Sequence, residues 1–108
     1  MKNQLTRGLK RRLMYIENKT GTIGGSDARI GWVTFSKTGA TVYYGGRTLL
    51  KAQGISGNFV DQDNGDEYWV SGVKTRGSNV HYDEPASVEI DADAQEAYAE
   101  LKAGDKKS

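Results

Sequence analysis

The chain of 108 residues provides for one domain with a modest core, and its 36% apolar and 27% charged residues describe a protein that folds with little apolar material to spare. The absence of cysteine excludes disulfides, thiolate metal sites and cysteine nucleophiles and fits a cytoplasmic location. No apolar run approaches the ~18 residues of a membrane span, and none follows the basic start as a signal core would. The net charge of +1 conceals a division: residues 1–59 hold ten bases against two acids, and residues 60–108 hold five against twelve. Strand pairing is expected to interleave the two halves and cancel the field; the alternative is a dipolar molecule with a basic face for an acidic partner.

Residues 1–13 carry five bases and no acid, and they read as a flexible basic extension. Met14 is an alternative biological start, because "KRR" before a methionine is what a translated ribosome-binding site would spell. A single β-rich domain is expected over 14–104. "LMYIEN" is a short apolar run that ends in the turn-rich "KTGTIGGSD". "ARIGWVTFSK" is a strand of β-branched and aromatic residues, closed by "TGA". "TVYY" and "RTLLKA" flank Gly45-Gly46, a hairpin turn. "QGISG" is a loop, "NFVD" and "EYWVSG" are hairpin arms, a short strand is expected at Val80–Tyr82, and "SVEI" is the last strand. In "DADAQEAYAELKAG", Ala94, Ala97, Tyr98 and Leu101 form one helical stripe. Asp91 or Asp93 is expected to cap that helix, Asp93 and Glu96 have capping-box spacing, and Gly104 is the expected stop before a frayed 105–108. These elements predict an α+β fold, mainly β: a small antiparallel barrel of the SH3-like kind, or a strongly curved sheet, with one C-terminal helix.

The acid-rich stretch Asp61–Glu67 does not fit a calcium loop, since the EF-hand spacing places Gly65, Asp66 and Gly72 where a ligand, a glycine and a glutamate are needed. It reads as a hairpin. A two-residue Asn64-Gly65 turn would oppose Asp63 to Asp66. A three-residue Asp63-Asn64-Gly65 loop with Gly65 left-handed avoids that, and pairs Val60 with Tyr68 and Phe59 with Trp69. Other motifs are weaker. Ser71 to Lys74 spells S-x-x-K and Lys37-Thr38-Gly39 spells K-T-G, but in reversed order, without S-D-N and in too short a chain for a serine β-lactamase. Gly54 to Gly57 spells G-x-x-G without flanking helices. His81 is the only histidine, so a histidine-based metal site is not expected, and neither a metal nor a cofactor is assigned.

The aromatic residues carry more. Trp32, Tyr43-Tyr44 and Tyr68-Trp69 lie in strands, where neighbours point to opposite faces, so each pair sends one ring inward and one outward. The bases Arg29, Lys37, Arg47 and Lys74 lie close by in sequence. Arg29, Trp32, Lys37, Tyr43, Arg47, Trp69 and Lys74 are therefore the candidate binding residues, forming an aromatic and basic sheet face for single-stranded nucleic acid or a protein. The competing reading is that the helix or barrel closure covers that face.

The blocks "YIENK", "ARIGWVTFSKTGATVYYGGR", "GISGNF", "GDEYWVSG" and "VEIDADAQEAY" together resemble a family of short bacterial proteins of unknown function. The resemblance spans roughly Met14 to Tyr98 and departs at "VHYDEPAS". Some members carry the label of a 1-deoxy-xylulose-5-phosphate synthase. A thiamine-diphosphate enzyme needs large domains and a subunit interface around its cofactor, so the label is rejected for a chain of this size. The family implies no catalytic residues. A non-enzymatic cytoplasmic binding or accessory module is the expectation. The alternatives are a metal-dependent hydrolase using Asp61, Asp63, Asp66, Glu67 and His81, or a purely structural, immunity-like interaction protein.

Overall fold

The computed structural model describes residues 9–73 and 88–107. It contains strands β1 (Arg11–Asn18), β2 (Ala28–Phe35), β3 (Thr41–Tyr44), β4 (Arg47–Lys51), β5 (Phe59–Asp61), β6 (Glu67–Gly72) and β7 (Val88–Ile90). A 3-10 turn over Ala92–Ala94 leads into the helix α1 (Gln95–Lys107). The first six strands form an antiparallel meander, and β1 pairs with both β2 and β6. The sheet is thus a closed six-stranded barrel rather than an open curved sheet, and closure leaves few exposed edges. No helix among the described residues is long and apolar enough to cross a membrane.

Strict alternation explains the two cores. Inward residues, among them Ile16, Val33, Val42, Leu49, Phe59, Tyr68 and Val70, fill the barrel. Several are wholly buried, and each such aliphatic side chain contributes ~1.5–3 kcal/mol. Outward neighbours Tyr15, Ala28 and Ile30 form a second cluster with Leu13, Trp69, Ile90 and Tyr98, which β7 and the helix complete. Ala94, the first residue of the predicted stripe, is fully buried, whereas Leu101 at its far end is 40% exposed.

One edge of β2 is shared. β3 pairs with it only at Thr34 and Phe35, and β7 runs parallel to it at Ala28, Arg29 and Ile30. The barrel therefore splits between β2 and β3, and the end of β7 enters the split. Gly31 lies at that point: a Cβ there would collide with the Asp91 carboxylate and crowd the Tyr44 ring. Gly45 and Gly46 both have positive φ, 55° and 81°, as the two-residue turn between β3 and β4 requires.

Several expectations are corrected. β1 begins at Arg11, so residues 11–13 of the expected extension pair with Thr34, Val33 and Trp32. The β5–β6 loop is one residue longer than predicted. Asp61 N–H donates to Asp66 O (2.8 Å) and Gly65 N–H to Asp61 O (2.9 Å), with Gly65 left-handed as expected. The register becomes Phe59 opposite Tyr68 and Val60 opposite Glu67, which places both buried rings inside the barrel. Asp61, not Asp63, now faces Asp66. Each carboxylate has its own donor: Asp63 N–H for Asp61 Oδ1 (2.8 Å) and Asn18 Nδ2 for Asp66 Oδ2 (3.0 Å). Asp91 precedes the 3-10 turn but makes no side-chain cap, and α1 continues through the expected stop at Gly104 to Lys107. The strand expected at Val80–Tyr82 lies outside the described residues.

Candidate functional site

In a meander barrel alternate loops gather at the same end. The β1–β2, β3–β4 and β5–β6 connections share one end, here called the mouth, and the β2–β3 and β4–β5 connections share the other, here called the rim.

The mouth is a hydrogen-bonded network. Arg29 Nε donates to Asp91 Oδ1 at 2.5 Å, and Arg29 Nη1 donates to Gly24 O at 3.1 Å. Tyr44 OH donates to the other Asp91 oxygen, Oδ2. Asp91 N–H donates to Ile30 O at 2.9 Å. One residue therefore ties the end of β7 to β2 and β3. The Arg29 and Asp91 side chains are only about one-fifth exposed, at 20% and 21%. The Asp91 hydrogen bond raises the Arg29 pKa and keeps the guanidinium protonated. Burial, and then the bond to Asp91, push the Tyr44 phenol far above its ordinary range. Beside this network lies a pocket of ≈ 230 Å³ whose lining includes Ile23, Arg29, Trp32, Tyr44, Arg47 and Asp91. Trp32 Nε1 donates to Asp93 O at 3.0 Å, and Arg47 Nη1 donates to Gly45 O at 3.3 Å.

A second network closes the mouth on its other side. Buried Asn18 donates to Thr22 O (2.9 Å) and Asp66, and it accepts from Thr20 N–H at 2.9 Å. The Tyr68 phenol beside it is raised by burial, with the Arg47 guanidinium pulling the other way. On the outer wall, Glu17 accepts from Tyr15 OH (2.7 Å) and pairs with Lys19 Nζ at 3.1 Å.

Of the seven residues predicted from the sequence, Arg29, Trp32 and Arg47 meet at the mouth pocket. Tyr43 is half-buried on the outer wall between Thr34 and Thr48. Trp69 belongs to the covered outer cluster, opposite Glu17. Lys37 is exposed in the β2–β3 turn at the rim, and Lys74 lies outside the described residues. They do not share one face. Sequence reasoning missed Asp91 and Tyr44 as partners of Arg29. The available signal was Gly31, a glycine inside a strand pattern, which marks the close approach of another group.

The rim is different in kind. Lys10, Arg11, Arg12, Lys37 and Lys51 all lie there and all are exposed. Backbone bonds hold their segments together: Phe35 N–H to Lys10 O (3.1 Å), Ser36 N–H to Thr41 O (2.9 Å) and Lys51 N–H to Ala40 O (2.9 Å). Among the described residues none of these cations forms an ion pair; the ion pairs found are those of Lys19 and Arg29 towards the mouth. Arg11 alone has a defined partner, with its guanidinium carbon 4.5 Å from the centre of the Trp32 ring.

Among the described residues no group of three or more His, Cys, Asp or Glu side chains is placed to hold a metal ion. No protein family, no curated protein and no solved structure matches this chain.

Proposed function

We propose that this protein is a non-enzymatic binding module for an anionic macromolecule, acting in the cytoplasm through the rim of its barrel. One observation carries the reading: Arg29 and Lys19, towards the mouth, are paired to carboxylates, whereas the exposed cations of the rim are not. Exposed unpaired charge on one end attracts and orients an oppositely charged partner.

The hydrolase alternative has less support. Asp61 Oδ1 accepts from Asp63 N–H, Asp66 from Asn18, and Glu67 Oε1 from Ser56 N–H (2.8 Å). These carboxylates hold the β5–β6 hairpin and its neighbours, and His81 lies outside the described residues. The mouth pocket likewise offers an arginine and a tyrosine already bound to Asp91.

Titration of ¹⁵N-labelled protein with polyphosphate and with polyglutamate tests the reading by backbone amide shifts. Shifts centred on residues 10–12, 36–41 and 51–57 are expected with at least one polyanion. Shifts centred on Arg29, Tyr44 and Asp91, or no shifts with either, would refute it.

A further inference from the structure

We infer that the rim binds nucleic acid through its phosphate backbone, without reading bases; this rests on the binding-module reading above. The argument begins with what the rim lacks. A stable protein interface needs a buried apolar or aromatic anchor inside its polar border. Among the described residues the exposed large hydrophobics are Leu50, Val88 and Leu101, and only Leu50 adjoins the rim. Trp32, the nearest tryptophan, is held by Asp93 through its N–H and covered by Arg11, so it is not a free stacking platform. Charge without an apolar anchor suits a phosphate backbone, where release of condensed counterions supplies the affinity.

The uncharged groups between the cations fit the same ligand. Ser36 Oγ accepts from Thr41 N–H at 3.1 Å, and Thr38 Oγ1 accepts from Ala40 N–H at 3.3 Å. Each hydroxyl therefore keeps its own proton to donate outward. Hydroxyl donors interspersed with Lys and Arg are the usual phosphate-contacting set, which fixes position without specifying sequence. The absence of an available ring predicts similar behaviour for different sequences, since base stacking would be the source of preference in a single strand.

The test is fluorescence anisotropy of labelled 20-nucleotide duplexes of two unrelated sequences, titrated with the full chain from 50 to 200 mM KCl. Affinity is expected to fall by about 50- to 500-fold over that range, a log–log slope of about −3 to −4.5, and equally for both sequences. The double variant Lys37→Gln, Lys51→Gln is expected to flatten the slope by about 2, while Lys102→Gln on α1 leaves it unchanged. Binding that ignores Lys37 and Lys51 but vanishes on removal of residues 1–8 would overturn the assignment to the rim. Binding to polyglutamate through Lys37 and Lys51 without binding to DNA or RNA would overturn the nucleic-acid inference and leave the binding module standing. No binding to any of these polymers would remove both.

Discussion

Replacing Asp91 by alanine is the sharpest perturbation this fold offers. The carboxylate receives Arg29 Nε and Tyr44 OH, both charge-assisted hydrogen bonds, at a site about one-fifth exposed. Such bonds contribute ~1.5–3 kcal/mol each when well buried. Partial exposure discounts this, because a released guanidinium recovers some hydration and a fully exposed pair would be worth only ~0–1 kcal/mol. The expected loss is about 3 kcal/mol, or a fall in Tm of about 12–24 °C for a domain of this size. Urea and thermal denaturation followed by circular dichroism give both quantities. Tyr44→Phe removes only the hydroxyl and should cost about 1–1.5 kcal/mol. In the double variant the two losses should overlap by about 1 kcal/mol, since the residues share one bond. A loss below about 0.5 kcal/mol for Asp91→Ala, or strictly additive losses, would refute the claim that this carboxylate fastens β7 and the helix to the barrel.

Three further outcomes follow from the same geometry. Gly31→Ala should destabilise by about 1–3 kcal/mol, because its Cβ enters the space of the Asp91 carboxylate and the Tyr44 ring; pairing it with Asp91→Ala should recover part of that loss in urea melts. Gly65→Ala has nothing within 4 Å of the new Cβ, so only its φ of 79° costs energy, about 1–2 kcal/mol by the same assay. Tyr15, Tyr44 and Tyr68 are all raised in the folded state, chiefly by burial, whereas the unfolded chain titrates near 10. Above about pH 10 the unfolded state therefore holds fewer protons than the folded one, and stability falls as pH rises, by up to about 1.4 kcal/mol per pH unit for each tyrosine. Thermal melts from pH 8 to 11, with phenolate absorbance at 295 nm, check this; full titration of these tyrosines near pH 10 without unfolding would contradict it.

The strands were legible because their signals are local. Alternation required one ring of Tyr43-Tyr44 and one of Tyr68-Trp69 to face inward, which the fold resolves as Tyr44 and Tyr68, and Gly45-Gly46 marked its turn. The errors arose where a residue answers to a distant one. Asp91 has the local setting of a helix cap, yet Arg29 and Tyr44, 62 and 47 positions away, take both its oxygens. The two-residue turn that would oppose Asp63 to Asp66 is absent, as expected, but the loop is longer than the hairpin alone suggests and opposes Asp61 to Asp66, where Asn18, 48 positions away, supplies Asp66 with a donor. Leu101 looked like core only because the stripe was extended past the end of the surface it packs on.

The charge division is the instructive case, for interleaved strands do not by themselves require the expected cancellation. Pairing does interleave the halves, since β1 lies beside β6. Mixing around the barrel is not mixing along it. In a meander, every second connection returns to the same end, and the start of β1, the β2–β3 turn and the end of β4 are three such places. They carry Lys10, Arg11, Arg12, Lys37 and Lys51. The intervening connection at 19–27 holds Lys19 and Asp27, that at 62–66 holds Asp63 and Asp66, and Asp61 ends β5 beside them. Strand interleaving neutralises neighbours across a sheet, but it preserves any bias that alternates from loop to loop. The five exposed, unpaired cations of the rim are what remains of that bias, and they are the surface proposed above for an anionic partner.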